Sequence, residues 1–159
     1  MSSLTSPLFL RDDALEQALE LLLLAERGLA AESAGARARA GLAEHDLDLL
    51  WLIHRRPGAT LAELASLLGT AKQSTSRHLQ ALEAAGLVTR ERDRGDRRRR
   101  PLRLTERGRA LVNAIGERRK LGLRRAFQSA GAEAVAGFQR VLGELAEAAT
   151  RRPGGRPTG

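Results

Sequence analysis

The sequence predicts a mainly α-helical domain carrying one small β-hairpin, and three observations predict it. Apolar residues recur at helical spacing through most of the chain. Two short helix signals follow one another across a single glycine, and strand-like residues then bracket a turn crowded with arginine. The chain has 159 residues, a length that suits one domain. Hydrophobic residues make up 42%, enough to bury a core.

The elements follow in order. Asp12 and Asp13 favour a helix start by charge, and Leu15, Leu19, Leu22 and Leu23 continue it at helical spacing. Residues 28–41 are rich in Ala, Gly and Arg and fit either a continuation of that helix or a loose connection. A second helix from about Leu42 to Arg55 is apolar nearly all round, with Leu47, Leu49, Leu50, Trp51, Leu52 and Ile53, so it belongs in the middle of the domain. Pro57-Gly58 ends it. Thr60-Leu61-Ala62-Glu63 has the form of a capping box, and Leu61, Leu64, Ala65 and Leu68 form the apolar stripe of a short helix stopped by Gly69. Thr70-Ala71-Lys72-Gln73 reads as a second capping box, opening a helix that runs to Ala85 and stops at Gly86-Leu87. Two capped helices joined by a tight glycine turn form a helix-turn-helix. Leu87-Val88-Thr89, a basic turn with Gly95-Asp96, and Leu102-Arg103-Leu104 add a wing. Thr105 caps a helix over about 105–127, and another spans about 132–149 with Phe138, Val141, Leu142 and Leu145 on one face. The tail 150–159, rich in Arg, Pro and Gly, is expected to be disordered.

The second helix of the pair divides by face. Ala71, Thr75, Leu79 and Leu82 point inward; Gln73, Ser76, Arg77 and Gln80 share the other side, with Lys72 and Ser74 beside them. No acid interrupts this polar face before Glu83. An ordinary solvated face mixes both signs of charge, whereas Gln, Arg and Ser are the side chains that read base edges in the major groove. The segment 88–104 holds eight arginines (90, 92, 94, 97, 98, 99, 100 and 103) against Glu91, Asp93 and Asp96. Its net charge of +5 is more than half of the chain's formal +8. A GC-rich genome accounts for the number of arginines, because the sequence also has one Asn, two Ile and no Tyr. Codon bias does not account for eight of them within 17 residues. A basic hairpin beside a recognition helix is placed to enter the adjacent minor groove.

Other functions are excluded or weakly supported. There is no cysteine, hence no disulfide, thiolate metal site or thiol-based sensing. The four aromatics, Phe9, Trp51, Phe127 and Phe138, cannot make a base-stacking platform. The longest apolar run, Leu21 to Ala25, is too short to span a bilayer, and Asp12-Asp13 breaks the order of a signal peptide, so a cytoplasmic protein is expected. No Ser-His-Asp spacing, phosphate-cradling glycine loop or HExxH appears, and neither an enzyme nor a cofactor is expected. His45, Asp46 and Asp48 do not share a helix face as metal ligands would; they read as polar residues opening the second helix, and no metal is expected. His54 reads as a partner for the end of that helix, and His78 as an edge residue of the recognition helix within reach of phosphate.

The run Gly86-Leu87-Val88, Asp96-Arg97-Arg98 and Leu102-Arg103-Leu104-Thr105-Glu106-Arg107-Gly108 closely resembles the MarR family of bacterial transcriptional regulators. The likeness extends upstream through Leu64-Ala65, Ser76-Arg77 and Leu82-Glu83, and Ala71-Lys72-Gln73-Ser74 resembles the PetP-like branch. The resemblance implies a winged helix-turn-helix over 42–104, with helices at about 10–35 and 105–149 interleaving with a partner in a homodimer. It implies that Arg98 enters the minor groove with Asp96 orienting it and Arg94, Arg97 and Arg99 beside it. Lys72, Gln73, Ser74, Ser76, Arg77 and Gln80 would lie on the recognition helix, on a palindromic operator, and the protein would act as a repressor. It also implies a cleft for a small, often aromatic or anionic effector, bordered here by Trp51 and His54, although Trp51 read by itself is a core residue. One departure is Arg99-Arg100-Pro101 in the returning wing strand, where proline cannot donate to the ladder and should interrupt the strand. Independently of the resemblance, the long first helix and the last two have apolar faces that need burying. The alternative function is nonspecific DNA binding by a nucleoid-type protein through the arginine wing.

Overall fold

The computed structural model describes residues 7–96 and 98–151. A short 3-10 turn at Leu8–Leu10 precedes α1 (Asp12–Arg39), α2 (Glu44–Arg55), α3 (Leu61–Leu68) and α4 (Lys72–Ala84). Strands β1 (Val88–Arg90) and β2 (Leu102–Leu104) form the wing, and α5 (Glu106–Ala130) and α6 (Ala132–Arg151) complete the chain. The winged helix-turn-helix is therefore present with long helices on either side of it. Residues 28–41 resolve as helix through Arg39, and α6 continues through Thr150 and Arg151. Thr150 and Arg151, expected in a disordered tail, are thus helical, and residues 152–159 lie outside the described residues.

Three helices end in the same way for the same reason. After α1, α3 and α4 a glycine at φ 68, 62 and 69 respectively turns the chain out of the helix, a conformation that costs other residues steric strain. In each case two amides beyond the helix bond back to its last carbonyls: Gly41 and Leu42 to Ala38 and Arg37, Gly69 and Thr70 to Ser66 and Ala65, Gly86 and Leu87 to Glu83 and Leu82. The Gly86-Leu87 stop has the geometry that the sequence predicts.

The start of α3 is also as predicted: Thr60 Oγ1 accepts from the Glu63 amide at 3.3 Å and Glu63 accepts from the Thr60 amide at 2.7 Å. The second capping box is not formed. The amide of Thr70 is committed to ending α3, so α4 starts one residue later, with Ala71 at the N-cap and no capping side chain. The Thr70 hydroxyl instead meets that of Thr75 at 2.8 Å.

The core forms around α2. Leu47, Leu49, Leu50 and Ile53 are buried against Leu64 of α3, Leu79 and Leu82 of α4, Leu102 of β2, and Val112 and Ile115 of α5. Strands β1 and β2 are antiparallel, with Val88 opposite Leu104 and Arg90 opposite Leu102. Beyond that register the Glu91 amide donates to the Pro101 carbonyl, and proline has no N–H to return the bond, so β2 begins only at Leu102. The outer edge of Leu102 is paired as well, with its amide on the Ala59 carbonyl and its carbonyl on the Gly58 amide. The turn at Gly58-Ala59 thus covers the wing's edge at Leu102.

The wing is joined to α5 at very close range. The Thr105 amide donates to the Leu87 carbonyl, its hydroxyl donates to the Gly86 carbonyl at 2.7 Å, and the same hydroxyl accepts from the Gly108 amide at 3.0 Å. A Cβ at position 108 would overlap the Leu87 carbonyl oxygen. This is the physical content of the Leu-Thr-x-x-Gly sequence: one residue caps the helix and the other lets it touch the chain leaving α4. Gly108→Ala should lower stability by about 2–3 kcal/mol, the upper range for an overpacked site, as read by urea denaturation.

Candidate nucleic-acid interface

Helix α4 presents the face that the sequence predicts. Thr75, Leu79 and Leu82 are buried; Lys72, Gln73, Arg77 and Gln80 are exposed, and Ser74 and Ser76 are half-buried. Among the described residues these six polar side chains have no intramolecular hydrogen bond or ion pair. The helix has no acid in its first turn and no capping side chain, which leaves its first amides and the positive end of its dipole open. His78 is half-buried at the edge of α4 that faces α2, where its Nδ1 lies 2.7 Å from Asp46 Oδ1.

The wing's acids are all engaged by specific partners. Asp93 Oδ1 accepts from the amides of Gly95 (2.8 Å) and Asp96 (3.2 Å), and these bonds hold its carboxyl below the usual range. Asp96 Oδ1 accepts from the Arg98 amide at 2.9 Å. Asp96 therefore fixes the backbone at Arg98 through an amide. Glu91 binds Arg103, and Glu83 of α4 binds Arg90, each at 2.7 Å. Arg99 turns back so that Nη2 approaches the Gly58 carbonyl at 3.4 Å. Arg92, Arg94, Arg98 and Arg100 are exposed and have no acid partner among the described residues. Arg97 lies outside the described residues.

Sequence reasoning missed three of these features. Asp93 is the first of two nested Asp turns, and its signal was an Asp two residues before a glycine. The Glu83–Arg90 pair ties the wing to α4, and the Asp46–His78 pair ties α4 to α2. Both join side chains on different elements, which no local pattern marks.

A cavity of about 180 Å³ opens between α1, α2 and α5, lined by Leu29, Leu47, Asp48, Trp51, Ile115, Gly116, Arg119, Lys120 and Leu123. Trp51 is 37% exposed, so it is a wall of this cavity and not a core residue. It stands there because α5 offers Gly116, where a Cβ would come within 2.9 Å of the indole. His54 is not among the lining residues; its ring stacks at a tilt on Trp51, with centroids 5.8 Å apart. Arg119 is held by the buried Ser33 hydroxyl (2.8 Å) and by Glu44 (3.3 Å). Burial pushes the Asp48 carboxyl above its ordinary range, Glu44 adds to the shift, and Arg119 opposes it.

The matches to known proteins agree with this architecture. Residues 40–99 match the model of the MarR family. The chain is 37% identical over 150 residues to the HTH-type transcriptional regulator PetP of Rhodobacter capsulatus, covering 91% of this chain and 87% of that protein. This chain belongs to the MarR family. Among solved members, MarR itself has a TM-score of 0.65 at 28% identity, covering 89% of this chain and 94% of that one. NadR, solved in complex with 4-hydroxyphenylacetate, has a TM-score of 0.71 at 26% identity, covering 79% and 89%. As a MarR-family protein the chain is a DNA-binding transcriptional regulator. Among its described residues no helix is long and apolar enough to cross a membrane.

Asp48 gives a signed pH test. Its folded carboxyl titrates above the unfolded value, so the linked stability is complete below that value and is lost as pH rises through the folded one. Asp48→Asn should therefore be more stable than the native chain at pH 7, and the gain should vanish as the pH falls below about 4. Urea denaturation at both pH values checks this.

Proposed function

We propose that this protein is a homodimeric, sequence-specific repressor of the cytoplasm, with no enzymatic activity, that reads a palindromic operator. The observation that carries the reading is the division of labour around α4. Its outward polar side chains have no intramolecular partner among the described residues, while every acid described in and beside the wing is bound to a basic side chain or a backbone amide. Gln73, Ser74, Ser76, Arg77 and Gln80 enter the major groove, with Lys72 and the open amides of α4 on a phosphate. Arg98 enters the minor groove, with Arg94 and Arg97 beside it. Arg99 leans toward Gly58 through Nη2 alone and keeps its other donors for a phosphate.

The dimer is supported by apolar surface that a monomer leaves in water. Leu8, Phe9 and Leu10, the α1 leucines 15, 19 and 21–24, and Phe138, Val141 and Leu145 of α6 are all exposed. Such contiguous patches are characteristic of interaction surfaces. Residues 10–35 and 105–149 thus form the dimerisation part and 42–104 the DNA-binding part. Two-fold symmetry sets the recognition helices roughly 34–36 Å apart, one turn of DNA.

The cavity walled by Trp51 is the effector cleft. Its volume of about 180 Å³ suits a single aromatic ring, Arg119 and Lys120 suit an anionic substituent, and the related NadR carries 4-hydroxyphenylacetate. His54 acts there by setting the indole and not as a wall.

Selection of bound duplexes from a random pool, near physiological salt, tests the reading. A palindrome with half-sites about 10 base pairs apart is expected; tight binding without any motif would favour the nonspecific alternative. On the selected site Arg98→Ala should weaken binding to all sequences alike. Gln73→Ala and Arg77→Ala should also relax base preference, at about 1–3 kcal/mol for each bidentate pairing with a base edge.

A further inference from the structure

The recognition helix is gripped from behind by a carboxylate–imidazole pair that has no counterpart in the sequence pattern. We propose that His78, held by Asp46, is a positioning residue that fixes the rotation of α4 and thereby its discrimination between DNA sequences. The inference rests on the reading of α4 as the helix that enters the major groove.

At 3.6 residues per turn, His78 stands about 150° around the helix from the centre of the Gln73, Ser76, Arg77 and Gln80 face. It therefore acts through the position of α4 and makes no contact with DNA of its own. Its Nδ1 is 2.7 Å from Asp46 Oδ1, and the Asp46 side chain is only 14% exposed. A carboxylate only accepts, so Nδ1 carries the proton in either charge state of the imidazole. The other Asp46 oxygen accepts from the Ala43 amide at 2.7 Å, which locks the carboxylate to the first turn of α2. The His45 ring packs edge-on against His78 with centroids 4.7 Å apart, closing another side.

Among the described residues three further side-chain contacts hold α4, all near its ends. The Thr70–Thr75 hydroxyl pair joins residues five apart, Glu83–Arg90 joins residues seven apart, and Arg107 Nη1 donates to the carbonyl of the C-cap residue Ala85 at 3.0 Å. Asp46–His78 spans 32 residues and connects α4 to the central helix. The remaining hold on α4 is the apolar packing of Leu79 and Leu82, which is non-directional and tolerates a small rotation. A turn of roughly 10° moves an atom on the helix surface by about 1 Å. That displacement spoils a paired hydrogen bond to a base edge, whose useful range is only about 0.5 Å wide. It leaves the attraction of the arginine wing for phosphate almost unaltered.

The test uses the full-length protein, the duplex recovered by selection, and a scrambled duplex of equal length and composition. His78→Leu removes the donor and leaves the Asp46 bond to α2 intact. It should lower the ratio of selected-site to scrambled affinity about tenfold, the order of one bidentate pairing with a base, while scrambled binding changes less than about twofold. His78→Asn, whose side-chain amide nitrogen sits where Nδ1 does, should restore most of the ratio. Asp46→Ala, which also frees the Ala43 amide, should lower the ratio at least as far as His78→Leu, and the double variant should be no worse than Asp46→Ala alone. An unchanged ratio in His78→Leu, an equal loss on both duplexes, or an Asn variant no better than Leu would each overturn the proposal. A native protein with a ratio near one would overturn the reading of α4 itself, a distinct outcome from a large native ratio that the variants leave intact.

Discussion

Every element that presents a functional side chain leans on α2. It is a twelve-residue helix with buried or half-buried residues on most of its circumference, and α3, α4, β2 and α5 pack against it at once. An apolar helix of this kind is stable only when covered, and burying each Leu or Ile contributes about 1.5–3 kcal/mol. The cover is the helix-turn-helix pair, the returning wing strand and α5. Two polar residues of its early turns then acquire special surroundings: Asp46 is bonded to α4, and Asp48 is desolvated at the wall of the cavity. One helix thus supplies the core, a grip on α4 and a wall of the cavity.

The second organising feature is the use made of acids in a strongly basic region. Repulsion among the wing arginines would splay a free hairpin. Asp93 and Asp96 instead accept backbone amides and shape the tip, while Glu91 and Glu83 bind Arg103 and Arg90 at its base. Because these pairs are exposed or half-exposed, each adds little stability in water. Their effect is on geometry: they select which arginines remain available and where the backbone carries them. The wing's edge is covered at Leu102 by Gly58 and Ala59, and proline stands where the ladder stops.

Much of this was legible in the residues because the relevant physics is local. A Thr and a Glu three apart can only serve free amides, and a glycine after an apolar stripe marks a stop. Where two local signals competed for one residue, the reading failed. Thr70 looked like a cap for α4, but its amide was already needed to end α3. The surroundings of Trp51, which periodicity alone puts in the core, and the partner of His78 escaped for a related reason. Helical periodicity gives the direction of a side chain but not what stands opposite, and it cannot show that α5 offers Gly116 to the indole or α2 offers Asp46 to the imidazole.

By itself, then, the sequence determined the succession of helices and strands, the acid-free face of α4, the concentration of arginine in the wing and the family to which the chain belongs. These follow from spacing, capping chemistry and charge within stretches of about twenty residues. Only the tertiary structure decided which arginines are bound and which are free, that Asp96 holds Arg98 through its backbone, that Trp51 walls a cavity, and that α4 is fastened to the core through His78. Those outcomes depend on partners separated by long stretches of chain. Their meeting is set by how α2 is covered, and no local pattern encodes that.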